Sequence, residues 1–93
     1  MGYPNSGCIM FVMVKSLHSP EYEHFRSLIV LAREQSGLTQ TDVASKLNRP
    51  QSFVSKYESG ERRLDVIEFI DICTALNIDP KSIITDIQTK LNK

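Results

Sequence analysis

Residues 39–60 read "TQTDVASKLNRPQSFVSKYESG". Thr39 with Asp42 three residues on is a capping-box start, Asp standing in for the usual Glu. Val43, Ala44 and Leu47 then fall on one side of a helix. Asn48 suits a left-handed turn, which most non-glycine residues avoid. Pro50 opens a second short helix that ends near Gly60. In it Val54 and Tyr57 sit three apart and point one way. Gln51, Ser52, Ser55 and Lys56 point the other way, with Arg49 just before them. Two short helices joined by a tight turn make a helix-turn-helix. Ala44 lies where the second helix would cross the first, and a larger side chain there would hold them apart. The outward face of the second helix is rich in donors and poor in acids. A DNA major groove is wide enough to admit one such helix.

Outward from this unit, the punctuation stays helical. Ser19-Pro20-Glu21 supplies a cap, a first-turn proline and an acid near the positive end of a helix dipole. Tyr22, Phe25, Leu28, Ile29 and Ala32 recur at helical spacing, and Gly37 ends that helix. Asp65 with Glu68 is a second capping box, starting a helix on Val66, Phe69, Ile70, Cys73 and Leu76. Asp79-Pro80 begins a fifth, with Ile83, Ile84, Ile87 and Leu91 expected inward. The expected fold is all-α, a compact set of five short helices over residues 19–93. Residues 1–18 are set apart as an N-terminal tail. Its apolar run Cys8–Val14 is too short to span a bilayer and lacks a signal peptide's charged opening. It is expected to be disordered or a short strand that pairs with a neighbour, and Met10 and Met13 offer later translation starts.

With 93 residues, 41% hydrophobic and 24% charged, the chain suits one domain with a modest core. The formal net charge is zero. The charge is nonetheless segregated. Lys46, Arg49, Lys56, Arg62 and Arg63 face Glu58 and Glu61, so residues 46–63 carry 5 − 2 = +3. Lys81 alone faces Asp65, Glu68, Asp71, Asp79 and Asp86, so residues 64–89 carry 1 − 5 = −4. A basic middle backed by an acidic part is compatible with a nucleic-acid face. Cys8 and Cys73 form no motif, and His18 and His24 have no companions at metal-ligand spacing. No catalytic constellation and no glycine-rich phosphate loop is present, so neither an enzyme nor a cofactor is expected. A reduced, cytoplasmic compartment is the simplest fit.

Residues 33–63, "REQSGLTQTDVASKLNRPQSFVSKYESGERR", resemble the lambda repressor-like, Cro/XRE-type helix-turn-helix domain. The resemblance is carried by Gly37-Leu38, Thr39-Gln40, Val43-Ala44, Asn48, Ser55 and Glu58-Ser59-Gly60, without insertion, and the five-helix frame extends it over most of the chain. Two departures stand out. Asn48 replaces the family's usual glycine, and Pro50 lacks the N–H that could meet a phosphate. The resemblance implies that Gln40 touches backbone phosphate, and that Gln51, Ser52 and Lys56 read base edges. It also implies that Arg33 and Glu58 form a buried ion bridge between the first and third helices. The chemistry agrees, because glutamine can bond adenine bidentately and lysine can reach guanine. Arg62 and Arg63 are placed to hold phosphate, with Arg49 and Ser55 as further positioning contacts. Phe53 either touches a thymine methyl with the base-reading group or packs beside Tyr57.

The expected function is a sequence-specific DNA-binding regulator, a repressor, acting on double-stranded DNA as a homodimer joined through its C-terminal helices on a palindromic operator. Controller proteins of restriction–modification systems fall within this reading. Two others stay open: the antitoxin of a toxin–antitoxin pair, and a protein-interaction module that borrows the fold.

Overall fold

In a computed structural model, residues 19–91 are described. They form α1 (Pro20–Gln35), α2 (Gln40–Leu47), α3 (Gln51–Ser59), α4 (Val66–Leu76) and α5 (Pro80–Leu91). All regular structure among the described residues is helical, as expected. The tail assigned to residues 1–18, with Cys8, lies outside the described residues, as does the side chain of Leu91.

Each boundary has a local cause. Ser19 accepts a hydrogen bond from the Tyr22 N–H at 3.1 Å and caps α1. Thr39 and Asp42 close their capping box in both directions, at 3.0 and 2.9 Å. Asp65 and Glu68 do the same for α4, at 2.7 and 3.1 Å. Each reciprocal pair satisfies two backbone donors that a helix start leaves without partners. Asn48 ends α2 in the left-handed region with φ 58°, and its N–H donates back to the Ala44 and Ser45 carbonyls. Asn77 ends α4 the same way with φ 59°, a stop the sequence pattern did not flag. Pro50 is the residue before α3 rather than its first residue. Its carbonyl accepts from the Phe53 N–H at 3.0 Å, and no side chain caps this helix. Gly60 closes α3 at φ 89°, where a Cβ would meet the Arg26 side chain at 3.5 Å.

Helix α2 packs on α3 and α4, while α1 packs on α3 and α5. The core joins all five: Ile29, Val43, Ala44, Phe53, Val54, Tyr57, Phe69, Ile72, Cys73, Leu76 and Ile83. Burying each large aliphatic or aromatic side chain stabilises by about 1.5–3 kcal/mol. Ala44 is 3% exposed between α2 and its neighbours, so only a small side chain fits.

Two sequence expectations about the core are corrected. In α4 the inward face is Phe69, Ile72, Cys73 and Leu76, while Val66 and Ile70 are 63% and 43% exposed. Apolar residues run almost round this helix, so spacing alone could not select the face. In α5, Ile83 is buried and Ile87 partly so, but Ile84 is 50% exposed.

Candidate nucleic-acid interface

Helix α3 divides its side chains cleanly. Phe53, Val54, Tyr57 and Glu58 are buried, whereas Gln51, Ser52 and Lys56 are exposed. Ser55 is half-buried. The division follows from the helical repeat once Ala44 lets α2 approach closely.

Glu58 is the polar anchor under this face. Its carboxylate accepts from Arg33 Nε at 2.7 Å and from Nη2 at 3.1 Å. Arg33 also donates from Nη1 to the Leu38 carbonyl at 2.8 Å, tying down the loop before α2. The Glu58 side chain is 6% exposed and that of Arg33 14%. The Glu58 hydrogen bond holds the Arg33 guanidinium's pKa above its ordinary value. Burying a charge is costly unless it is paired, and this pair answers both costs.

From Glu58 the hydrogen bonds continue outward. Gln40 Nε2 donates to Glu58 Oε1 at 2.9 Å, and Gln51 Nε2 donates to Gln40 Oε1 at 2.7 Å. A residue expected at the backbone and one expected at the bases are thus joined side by side, although Gln40 is half-buried.

Arg49 and Arg62 converge on Phe53. Their guanidinium carbons lie 4.5 and 4.8 Å from its ring centroid. Phe53 itself belongs to the core rather than the reading face. It is 8% exposed and meets the Tyr57 ring edge-on at 5.4 Å between centroids. Its placement among base-reading residues is therefore corrected, since a side chain covered by two arginines and a tyrosine has no open face for a thymine methyl. The Tyr57 phenol sits deep enough that burial raises its pKa well above the usual value. Arg63 is exposed and stacks over the Tyr22 ring at 4.3 Å.

Sequence reasoning missed one participant. Glu68 accepts from Arg62 Nη1 and Nη2 at 2.9 and 2.8 Å. The capping box pointed to Glu68 as a helix-start residue, but nothing in the spacing linked it to the arginine across the loop. The Arg62 hydrogen bond is the largest cause holding its carboxyl down at about 2, followed by the Asp65 backbone N–H.

Among the described residues no group of histidine, cysteine or acidic side chains is placed to hold a metal. No helix among them is long and apolar enough to cross a membrane.

A helix-turn-helix family model matches residues 29–83. A solved XRE-family like protein from Pseudomonas syringae pv. tomato str. DC3000 is 42% identical, with a TM-score of 0.78 over 85% of this chain and 96% of that one. The restriction–modification controller protein C.AhdI from Aeromonas hydrophila is 25% identical, with a TM-score of 0.64 over 70% of this chain and 98% of that one. The wild-type restriction–modification controller protein C.Esp1396I shares the fold at 22% identity, with a TM-score of 0.71 over 82% of this chain and all of that one. No curated protein matches. With its two central helices, their exposed polar face and the Arg33–Glu58 bridge in place, the chain belongs to the Cro/XRE-type helix-turn-helix family of DNA-binding transcription regulators.

Proposed function

We propose that the protein binds a palindromic operator as a homodimer in the cytoplasm and represses transcription there, with α3 in the major groove. Gln51, Ser52 and Lys56 read base edges in this scheme. Gln40, Arg49, Ser55, Arg62 and Arg63 hold phosphates and set the register. The observation that carries the reading is the division of α3, whose exposed side chains are all polar while its apolar ones are buried. Any surface helix turns polar side chains outward, but here that face carries no exposed acid and Arg49, Arg62 and Arg63 flank it. The dimer would join through the acidic C-terminal half, because the basic face repels its own copy. A closed two-fold pair would set the two α3 helices about 34 Å apart, one turn of DNA.

Selection of bound duplexes from a random pool tests this directly. The expected result is one inverted repeat whose half-sites lie one helical turn apart. Recovery of no preferred sequence, with no band shift at low salt, sinks the reading. A narrower version is favoured by the two controller proteins among the solved relatives. In it the protein governs a restriction–modification operon, and the selected operator should then recur upstream of such genes.

A further inference from the structure

Two arginines from different segments converge on one acid where α4 begins. Arg62, in the loop after α3, binds both oxygens of Glu68, at 2.9 and 2.8 Å. Arg49, in the turn before α3, brings Nη2 to 4.0 Å from Glu68 Oε2. Glu68 is also fixed from below, because its Oε1 accepts the Asp65 N–H at 3.1 Å. Its side chain is 14% exposed, whereas those of Arg49 and Arg62 are 47% and 39% exposed. The acid is thus enclosed while both cations keep an open side.

A helix cap does not need an arginine on both carboxylate oxygens, and a solvated arginine does not need an aromatic ring beneath it. Together these contacts fix the orientation of two guanidiniums that flank α3 on either side in sequence. A guanidinium has five N–H donors. Arg62 directs donors to Glu68 and to the Arg63 carbonyl, the latter at 3.0 Å, and retains others. It can therefore meet a phosphate without leaving the carboxylate. The cluster has a net charge of +1 instead of the +2 of two unpaired arginines.

We infer that Glu68 is a positioning residue of the DNA-binding face, orienting Arg49 and Arg62 for phosphate while restraining affinity for DNA of arbitrary sequence. This rests on the reading of those arginines as phosphate contacts. Counterion release follows the positive charge brought to the backbone. Glu68 cancels part of that charge, so random DNA gains less from the arginines. An operator complex, in which α3 sits in one register, benefits from two cations already aimed.

The experiment is fluorescence anisotropy on a selected operator and a random duplex across a salt series. Glu68→Gln keeps the shape and removes the charge. Its binding to random duplex should tighten, and its slope of log affinity against log salt should steepen by about one unit. Between about 200 and about 50 mM salt, its advantage over wild type on random duplex should grow about fourfold. The ratio of operator to random affinity should fall. Asp86→Asn removes one negative charge from α5, outside the cluster, and should leave the slope as in wild type. Glu68→Asp keeps the charge but shortens the reach. It should retain the wild-type slope and still lose operator preference, which separates aim from charge even if Glu68→Gln folds poorly. An unchanged slope in folded Glu68→Gln, an equal change in Asp86→Asn, or an unaltered preference in Glu68→Asp overturns the inference. Wild-type protein that binds no duplex at low salt instead removes the DNA reading itself, and the role of Glu68 with it.

Discussion

Gln51, the first residue of α3, donates from Nε2 to Oε1 of Gln40, the first residue of α2, at 2.7 Å. The buried acid beyond them sets the direction of this bond. An ionised carboxylate only accepts, so Gln40 must turn its amide nitrogen to Glu58 and its oxygen to Gln51. Gln51 then commits one N–H to Gln40 and keeps an oxygen and a second N–H. That is the acceptor-plus-donor pair that adenine requires.

Gln51→Ala should therefore cost about 1–3 kcal/mol on the operator and little on random DNA, with the salt slope unchanged. Gln40→Ala should lower operator affinity as well, and the two losses should not add. A double-mutant cycle should give a coupling of about 0.5–1.5 kcal/mol, read from anisotropy titrations. Equal weakening on operator and random DNA by Gln51→Ala would show that α3 is not the reading element.

Removing Glu58 reaches further, because Arg33 would be left largely buried without its partner. Glu58→Ala should cost about 3–5 kcal/mol in urea unfolding. Glu58→Gln should cost less, yet it frees Gln40 to turn over and should reduce operator preference. A Glu58→Ala variant within about 0.5 kcal/mol of wild type would contradict the anchoring role.

Much of this was legible in the sequence because its signals are local. Thr39-Asp42 and Asp65-Glu68 announce helix starts within four residues, and Asn48 announces its own turn. The Arg33–Glu58 bridge spans 25 positions and came only from the family resemblance. Contacts set by tertiary packing were harder. For Phe53 the sequence left a thymine methyl and packing beside Tyr57 open, and the contacts of Tyr57, Arg49 and Arg62 with its ring decide for packing. The Arg62–Glu68 pair is six apart with a loop between, outside the i,i+3 and i,i+4 neighbours that a helix brings together. The inward face of α4 was misjudged because Ile70 and Ile72 are chemically alike, and only the neighbours decide between them.

The Glu68 pair also predicts an acid dependence. Its folded carboxyl titrates at about 2, below the unfolded value of 4.5. The stability it contributes is therefore present above pH 4.5 and lost as pH falls through about 2. The urea midpoint of wild type should exceed that of Glu68→Gln near neutrality, and the gap should close towards the acid end. A gap that persists there would mean the side chain acts through packing rather than charge.

Cys73 should behave as a buried thiol. It is 0% exposed, and burial first, then Asp79, raises its pKa to about 11. In a Cys8→Ser background, the remaining thiol should react with a disulfide reagent only as fast as the protein opens, and stoichiometrically in denaturant. Immediate reaction in native buffer would place Cys73 elsewhere than the core.

The proposed dimer can draw on only some of the isoleucines of α4 and α5. Ile72 and Ile83 are 0% and 8% exposed, so they serve the core and cannot meet a partner. Val66 and Ile67, both 63% exposed, lie on the first turn of α4, with Ile70 one turn on and Ile84 on α5. Exposed aliphatics of this size are costly to leave in water, and a stable dimer buries on the order of 1,600 Å² in total. Ile67→Glu should therefore shift the protein towards monomer while leaving the protomer folded, its urea midpoint losing only the concentration-dependent part that association supplies. Ile72→Glu should unfold it instead. Sedimentation at tens of micromolar, alone and on operator, reads both. The Ile67 variant should still occupy a half-site but lose most of its affinity for the full repeat. A wild-type monomer in both conditions removes the dimer from the proposal, and a dimer that survives Ile67→Glu moves the interface off this face of α4.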